Sequence, residues 1–526
     1  MSGKRSGTQS IVSATLIMMV GSLVGKAASF LQNVLLAQRL GTNHLSDAVH
    51  YGLQIPDLFY LLLMGGAIQS AITPVLSRAI ERDREKDAWK SISIFISVML
   101  VILIAFLFMG VLLSDFLLPL IYAETYAASP ATILLAAKAS KILFPQVLFM
   151  VMAALCIGIL NAYKKFSSSA FGPTIYSICV ILFVLLLGKP TEDGVLHISA
   201  GITASAVVFF LYQLFMSKRE LKNFRFSLNV KDPGFRYVFS LAIPIMLSGS
   251  VVQVNAILLS GIAGSFGEGV NTSIRYATQI WQLPYGIFAV SVGSVMMPSL
   301  SALFAKKDYK ASRNLLSGSI RNALFLTVPC AFLFFLLRTE VVNAVFNWSG
   351  NFSEENAQVT SSLLMGYSVS LVAHTVVFLY NQAFFAIGRT KISLINGVLS
   401  LFLTYGISRF YIFLGMKENG IAFGYSTAAI VSALFLSFVY KKTNKKLAPR
   451  LLLPFFARLL FCAAVLALVV VTLDYIPFAP SEKSISLLWL SVKCAFGFGA
   501  FFLAARVLGM KELYSFLGKL KGRMKR

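Results

Sequence analysis

Polar and charged side chains recur at helical spacing inside the most apolar parts of this chain. In the first apolar run, Ser22, Lys26, Ser29 and Asn33 follow one another at steps of four, three and four residues. That spacing places them on one face of a helix, with Gln32 beside it. A charge near the centre of a bilayer costs about 2.5–3.5 kcal/mol on the insertion scale, so Lys26 needs a partner or a water-filled cavity.

Three further apolar runs carry similar polar stripes. In chain order they contain Asp47, His50, Gln54 and Asp57; the less regular set Ser248, Ser250, Gln253 and Asn255; and Arg275, Gln279 and Gln282. We expect these four striped helices to face one another across a water-filled cleft that binds a polar ligand. The alternative is that the neutral residues only bond helices together, and that Lys26 and Asp57 form a structural ion pair.

The elements that position these stripes are transmembrane helices. Of the 526 residues, 57% are hydrophobic and 13% are charged, whereas soluble domains carry about 25% charged residues. Apolar runs of about 20 residues, long enough to cross a bilayer, recur from end to end. We predict an all-α polytopic membrane protein with about fourteen transmembrane helices.

The net charge of +25 is distributed unevenly over the predicted loops. Segments on one side hold 33 basic residues, and the opposite loops hold five. Basic residues concentrate in cytoplasmic loops, so both termini are predicted to be cytoplasmic, and this distribution argues against nucleic-acid binding.

A long internal repeat predicts how the helices are grouped. The stretch Gln54–Arg82 in the second span resembles Gln282–Lys307 in the eighth, which suggests two pseudo-symmetric six-helix lobes followed by two extra helices. The predicted parts are an N-lobe (1–217, helices 1–6), a cytoplasmic linker (218–236), a C-lobe (237–440, helices 7–12), helices 13–14 (441–510) and a basic cytoplasmic tail (511–526).

Signatures of enzymes and of metal sites are missing from the sequence. It contains neither a Gly-rich phosphate loop followed by Lys-Ser/Thr nor an H-E-x-x-H or G-x-S-x-G motif. The five cysteines lie in apolar runs without a C-x-x-C pair. We therefore expect a secondary transporter with neither a metal nor another cofactor, coupled to Na⁺, H⁺ or the membrane potential.

Four stretches make the chain resemble the MurJ/MviN family of lipid II flippases over nearly its whole length. They are Gln38–Val49, Ile55–Ser77, Gln282–Ser301 and Gly366–Lys391. The resemblance implies two lobes around a cationic cavity lined by helices 1, 2, 7 and 8. It also implies a hydrophobic groove near helices 13 and 14 for a polyprenyl tail.

The chain departs from the family at several cavity positions that the resemblance identifies. An Arg-Asp pair of the family is replaced here by Gln32 and Asn33, and two single arginines are replaced by Tyr60 and Gln279. Lys26 stands where the family has a further arginine, so the positive charge is kept there. Arg275 lies one turn from Gln279 and could supply a displaced cation. The acid of the second helix is kept as Asp47. A less cationic cavity should bind a diphosphate less strongly.

The resemblance implies that the protein exports lipid II, an undecaprenyl-diphosphate-linked sugar, across the bacterial inner membrane. The transport would proceed by alternating access, and we expect the protein to be a monomer. Lys26 and Arg275 would contact the diphosphate, and the nearby amides the sugar or peptide. Asp47 and Asp57 would balance charge or respond to a coupling cation, with His50 and Asn255 as further candidates. The alternatives are a flippase for another undecaprenyl-linked glycan, such as an exopolysaccharide unit, and a cation-coupled multidrug antiporter.

Overall fold

The computed structural model describes residues 21, 24–64, 67–348, 352–443, 453–476 and 483–514. The described residues are nearly all helical and contain no strand, which confirms the all-α prediction. The helices are α1 (24–40), α2 (His44–Met64), α3 (Ala67–Glu81), α4 (Glu85–Ile121), α5 (Ala123–Ala128), α6 (Pro130–Ala162), α7 (Phe166–Leu187), α8 (Glu192–Ser217), α9 (Pro233–Ala263), α10 (Val270–Pro284), α11 (Ser291–Ala305), α12 (Tyr309–Leu336), α13 (Arg338–Phe346), α14 (Glu354–Ala386), α15 (Thr390–Tyr411), α16 (Asn419–Thr443), α17 (Leu453–Asp474) and α18 (Lys483–Val507).

Eleven helical segments in the described part of the chain are long and apolar enough to cross a membrane. Two of them include a π-helical turn, Tyr285–Val290 between α10 and α11 and Ile412–Met416 after α15. The helices that correspond to predicted spans one, two and seven, namely α1, α2 with α3, and α9, are not among the eleven. The polar stripe of α2 lowers its hydropathy, and α1 is described over only part of the predicted span. The total of fourteen therefore stays a prediction.

Contacts divide the chain into two compact units. The first contains residues 1–272 and 349–352, and the second contains residues 273–348 and 353–526. The division falls inside α10, whose first three residues belong to the first unit. Contacts define these units, whereas a sequence repeat defined the predicted lobes, so the lobe boundaries stay a prediction.

Helix α6 lies at the centre of the first unit and packs against α2, α4 and α8. Leu143 and Phe144 are among its fully buried side chains. Gly110 of α4 allows the close approach, because a Cβ atom there would lie 2.1 Å from the Phe144 ring. Small residues at such crossings let backbones approach, and packing then replaces the hydrophobic driving force that lipid does not supply.

The second unit is built around an apolar cluster to which α11, α12, α14, α16, α17 and α18 contribute. Phe501 of α18 is fully buried and packs against Phe325 of α12, with ring centroids 5.2 Å apart. Lys493 of α18 is buried and pairs with Asp474, the last residue of α17, at 2.5 Å and with Glu340 of α13 at 3.3 Å. The two C-terminal helices are therefore integral parts of this unit.

The segment between α8 and α9, residues 218–232, is fixed to the first turns of α4. Asp232 caps α9 by accepting a hydrogen bond from the Phe235 N–H at 2.9 Å. The same carboxylate accepts a bond from Ser91 Oγ at 3.0 Å and lies 3.6 Å from Lys90 Nζ. Burial alone would raise the pKa of Asp232, but these hydrogen bonds and the lysine charge lower it below its ordinary value.

Candidate functional site

The predicted stripe of α1 is a solvent- or lipid-accessible face. Lys26 is exposed, and Gln32 and Asn33 are half-buried. Asn33 Nδ2 donates to Ser29 O at 2.9 Å, one turn earlier. Within the described residues no carboxylate forms an ion pair with Lys26. The ammonium group is therefore available to an anion.

The second half of α2 carries Asp57 and Tyr60, both half-buried. Tyr60 packs against an apolar cluster formed by α2, α3, α4, α6 and the start of α9. A phenol in this environment supplies contact area and one hydroxyl group but no positive charge. The first unit therefore has no positive charge at position 60, where the family resemblance implies an arginine.

Asp47, at the start of α2, caps a different helix. Its Oδ2 accepts from the Gly269 N–H at 2.6 Å, and its Oδ1 accepts from the Thr272 N–H at 2.8 Å and from Thr272 Oγ1 at 2.6 Å. These are the free N–H groups at the start of α10, so Asp47 takes the place of an N-cap side chain and lies at the positive end of that helix. The carboxylate is only 2% exposed.

The close contact between Asp47 and α10 depends on Gly269. This residue has φ +82°, and a Cβ atom there would lie 2.5 Å from the Thr42 carbonyl oxygen. Glycine adopts this left-handed conformation without steric cost. Asp47 and Gly269 together therefore fix where α10 begins, and α10 carries Arg275, Gln279 and Gln282.

Hydrogen bonds in the middle of α2 join it to α9. Gln54 Nε2 donates to Ser260 Oγ at 2.5 Å, and Gln54 Oε1 accepts from Tyr122 OH at 2.6 Å. Tyr51 OH donates to the Ser260 carbonyl oxygen at 3.0 Å. These polar residues bond helices to one another. For Gln54, this agrees with the alternative prediction that neutral residues of the stripes serve to join helices.

Two other predicted residues lie on the same two helices. His50 of α2 is buried, and Asn255 of α9 is half-buried. The Asn255 Oδ1 atom is buried without a hydrogen-bond partner in the described part of the chain. An unpaired buried carbonyl oxygen can accept a bond from a ligand or bind a cation.

In the second unit, α10 presents Arg275, Gln279 and Gln282 at steps of four and three residues. Arg275 and Gln279 are half-buried and Gln282 is exposed. Gln279 Oε1 has no partner in the described residues, and no described carboxylate forms an ion pair with Arg275. This face therefore combines a guanidinium group with amides, which suits a phosphate linked to a sugar or peptide.

An aromatic cluster beside this face was not predicted from the sequence. His374 of α14 contacts Trp281 of α10 and Tyr425 of α16 at centroid distances of 5.5 Å and 4.8 Å, and Trp281 and Tyr425 are 6.2 Å apart. The rings come from three helices far apart in the sequence, so no local pattern could indicate them. Their stacking orients α10 within the second unit.

The described residues contain no group of three His, Cys, Asp or Glu side chains placed to hold a metal ion. In each unit described by itself, a polar helix carries a cation that forms no ion pair with a described carboxylate, Lys26 on α1 or Arg275 on α10, and amide groups lie on the same helix. Ammonium, guanidinium and amide groups are the kinds of group that bind anions and hydroxyl-rich molecules in proteins.

Comparison with known proteins gives a match to one family over most of the chain. The model of the family described as "Lipid II flippase MurJ" matches residues 36–487. A "Lipid II flippase MurJ" of Burkholderia cenocepacia is 24% identical over 452 residues, covering 85% of this chain and 87% of the relative. A "Probable lipid II flippase MurJ" of Rhizobium meliloti is 26% identical over 473 residues, covering 88% and 87%.

Solved structures share the fold. The structure titled "Lipid II flippase MurJ, inward closed conformation" has a TM-score of 0.78 at 20% identity and covers 94% of this chain and 98% of the solved chain. An inward-facing multidrug resistance transporter of the MATE family has a TM-score of 0.64 at 17% identity and covers 82% of this chain and 97% of the solved chain. At these identities the structural likeness supports the fold alone.

Proposed function

Because the chain belongs to the lipid II flippase MurJ family, we propose that it moves lipid II from the inner to the outer leaflet for cell wall synthesis. The observation that carries this proposal is the family match over residues 36–487. The exposed Lys26 of α1 and the guanidinium of Arg275 on α10 agree with an anionic headgroup.

The proposed mechanism is alternating access between two six-helix lobes (1–217 and 237–440) joined by the linker 218–236. Lys26 and Arg275 contact the diphosphate, and Gln32, Asn33, Gln279 and Gln282 bond to sugar or peptide. Asp47 acts by holding α10 in place, while Asp57, His50 and Asn255 balance charge or respond to a coupling cation. The prenyl chain stays in lipid near α17 and α18, which correspond to the predicted helices 13 and 14.

Localisation, coupling and assembly belong to the same proposal. The chain is a multi-pass membrane protein, and we place it in the bacterial inner membrane with both termini in the cytoplasm. It acts as a monomeric secondary transporter rather than as an enzyme. Na⁺, H⁺ or the membrane potential drives it, with no cofactor.

The first test is complementation. The lipid II flippase of a test bacterium is depleted, this chain is expressed, and lipid II exposed on the outer leaflet is measured. We expect growth and outer-leaflet lipid II to be restored. If the protein is present in the membrane and neither recovers, lipid II is not its cargo.

One observation favours a second cargo, another undecaprenyl-linked glycan. Tyr60 packs in an apolar cluster at a position where the family resemblance leads us to look for arginine, so the cavity has fewer cations for a diphosphate. A flippase for such a glycan would fail complementation but restore export of an exopolysaccharide unit in a strain that lacks its own flippase. Export of neither cargo would contradict both proposals.

A further inference from the structure

The segment between α8 and α9 exposes large apolar side chains next to basic ones. Phe226 is 61% exposed, and Leu228 and Val230 are each 50% exposed. The exposed basic residues of the segment are Lys218, Arg219, Lys222, Arg225 and Lys231, and the exposed Arg236 follows at the start of α9. Basic residues beside exposed apolar ones are typical of segments that lie at the surface of an anionic membrane.

Hydrogen bonds hold this segment against one side of α4. The Arg225 N–H donates to Ser93 Oγ at 3.2 Å, and the Ser227 N–H donates to Ser97 Oγ at 3.1 Å. Asn223 Nδ2 donates to Glu85 Oε1 at 3.3 Å. The segment is therefore fixed in place, and its apolar side chains are not exposed by chance loop movement.

The two acidic residues of the segment are already neutralised. Glu220, only 8% exposed, pairs with Lys165 Nζ at 2.5 Å, and Asp232 lies beside Lys90. The exposed charge that remains is positive. A partner of opposite charge must therefore be anionic.

Position along α4 gives the depth of the segment. Helix α4 ends at Ile121, and Ser97 lies 24 residues before that end, or about 36 Å along the axis. The hydrocarbon core of a bilayer is about 30 Å thick. With Ile121 placed at the far edge of that core, Ser93 and Ser97 lie at the level of the lipid headgroups, on the side that the loop charges predict to be cytoplasmic.

The burial of α4 agrees with this placement. Residues 91–97 of α4 are buried, while Val101, Ile104 and Phe108 are among its exposed side chains. The bound segment covers the part of α4 that would otherwise meet the headgroup region, and Phe226 and Leu228 then face that region.

We propose that residues 224–231 form an interfacial anchor that inserts Phe226, Leu228 and Val230 among the anionic phospholipids of the inner leaflet. The neighbouring lysines and arginines bind the lipid phosphates. The anchor holds the interlobe linker at the membrane surface, independently of which lipid-linked cargo the protein carries.

The test measures depth in the full-length protein reconstituted into nanodiscs. A Leu228→Trp variant is compared with Lys86→Trp, an exposed site on α4 that lies 11 residues, or about 16 Å, further from the bilayer than Ser97. The signal of the four native tryptophans is subtracted using the parent protein. Quenching is measured with lipids brominated near the carbonyl group and with aqueous iodide.

We expect brominated lipids to quench the tryptophan at position 228 at least about twofold more than that at position 86, and iodide to quench position 86 more. Phe226→Trp should repeat the result and replaces Leu228→Trp if that variant does not fold. The anchor would be contradicted if iodide quenched positions 228 and 86 equally and brominated lipids did not quench position 228. The exposed apolar side chains would then face water, where a soluble partner could bind them.

A second comparison tests the anionic part. Lipid quenching at position 228 should be stronger in membranes that contain phosphatidylglycerol than in phosphatidylcholine alone. Replacing Lys222, Arg225 and Lys231 with glutamine should remove the difference between the two membranes. Replacing the exposed Lys138 of α6 with glutamine should not change that difference. Equal quenching of the parent segment in both membranes would overturn the role of lipid charge.

Discussion

Lys26 and Arg275 are cations of the two polar helices α1 and α10 that form no ion pair with a described carboxylate. A hydrogen bond to a charged group contributes about 1.5–3 kcal/mol, so losing either should weaken headgroup binding about tenfold or more. We expect Lys26→Ala with Arg275→Ala to abolish complementation of a flippase-depleted strain, and each single variant to impair it.

Lys138→Ala is the matched control, because it removes an exposed lysine of α6 from the same unit as Lys26. It should complement normally. Full growth of the double variant at normal membrane levels would mean that these two cations do not bind the headgroup.

Asp47 uses both of its carboxylate oxygens to hold the start of α10. In Asp47→Asn, an amide NH₂ would face either the Gly269 N–H or Thr272, so one buried donor loses its acceptor. We expect a loss of about 1–3 kcal/mol of stability, seen as a lower unfolding temperature in detergent. Asp57→Asn also removes one negative charge from α2, but at a position that does not cap α10. It should therefore reduce the stability by less than Asp47→Asn does. Equal destabilisation by the two variants would contradict the capping role.

The same residue shows what sequence reasoning could and could not predict at this scale. Asp47 was identified as polar and intramembrane from its spacing alone. Its partners Gly269 and Thr272 lie 222 and 225 residues away, and no local pattern links residues so far apart. The spacing therefore predicted the position of Asp47 but not its bonding.

At the scale of elements, Asp232 joins the α9 N-terminus to α4. Asp232→Ala should reduce the free energy of unfolding by about 1 kcal/mol because α9 loses its cap, whereas Asp232→Asn keeps a capping oxygen.

The lowered pKa of Asp232 stabilises the folded state at pH values above the unfolded pKa of about 3.9, and this contribution is lost as the pH falls through the lower folded pKa.

The measurement is thermal unfolding of the purified protein at neutral pH and at a series of acidic values. The difference between wild type and Asp232→Asn should shrink as the pH falls below about 4. A difference that stays constant over this range would mean that the carboxylate charge contributes nothing.

The elements themselves were largely predictable. Runs of apolar residues predicted membrane-length helices, and α4, α6 and α14 are among the helices that are long and apolar enough to cross a membrane. The π-helical turn after Pro284 was not predicted, because backbone hydrogen-bond slippage depends on packing, here of Tyr285 against Phe378 of α14 at 5.9 Å. Local sequence predicts where a helix lies better than where its register changes.

At the scale of the whole molecule, the family prediction is confirmed, and the additional helices α17 and α18 belong to the core of the second unit. Phe501→Ala should destabilise this unit, although by less than the about 3–5 kcal/mol found in soluble cores. The reason is that lipid already solvates apolar groups, so only packing is lost.

Phe413→Ala is the control, because Phe413 is 85% exposed and packs little. Thermal unfolding should show a clear decrease for Phe501→Ala and almost none for Phe413→Ala. Equal unfolding temperatures for the two variants would mean that α18 does not stabilise the unit.

The bonds between the interlobe segment and α4 also bear on how the protein tolerates sequence change. Ser93 and Ser97 accept from the backbone N–H groups of Arg225 and Ser227, so the side chains at those two positions play no part in the bonds. Every residue except proline keeps a backbone N–H. A saturation library should therefore reject proline at positions 225 and 227 and accept nearly any other residue at position 227, while the serines of α4 tolerate few replacements.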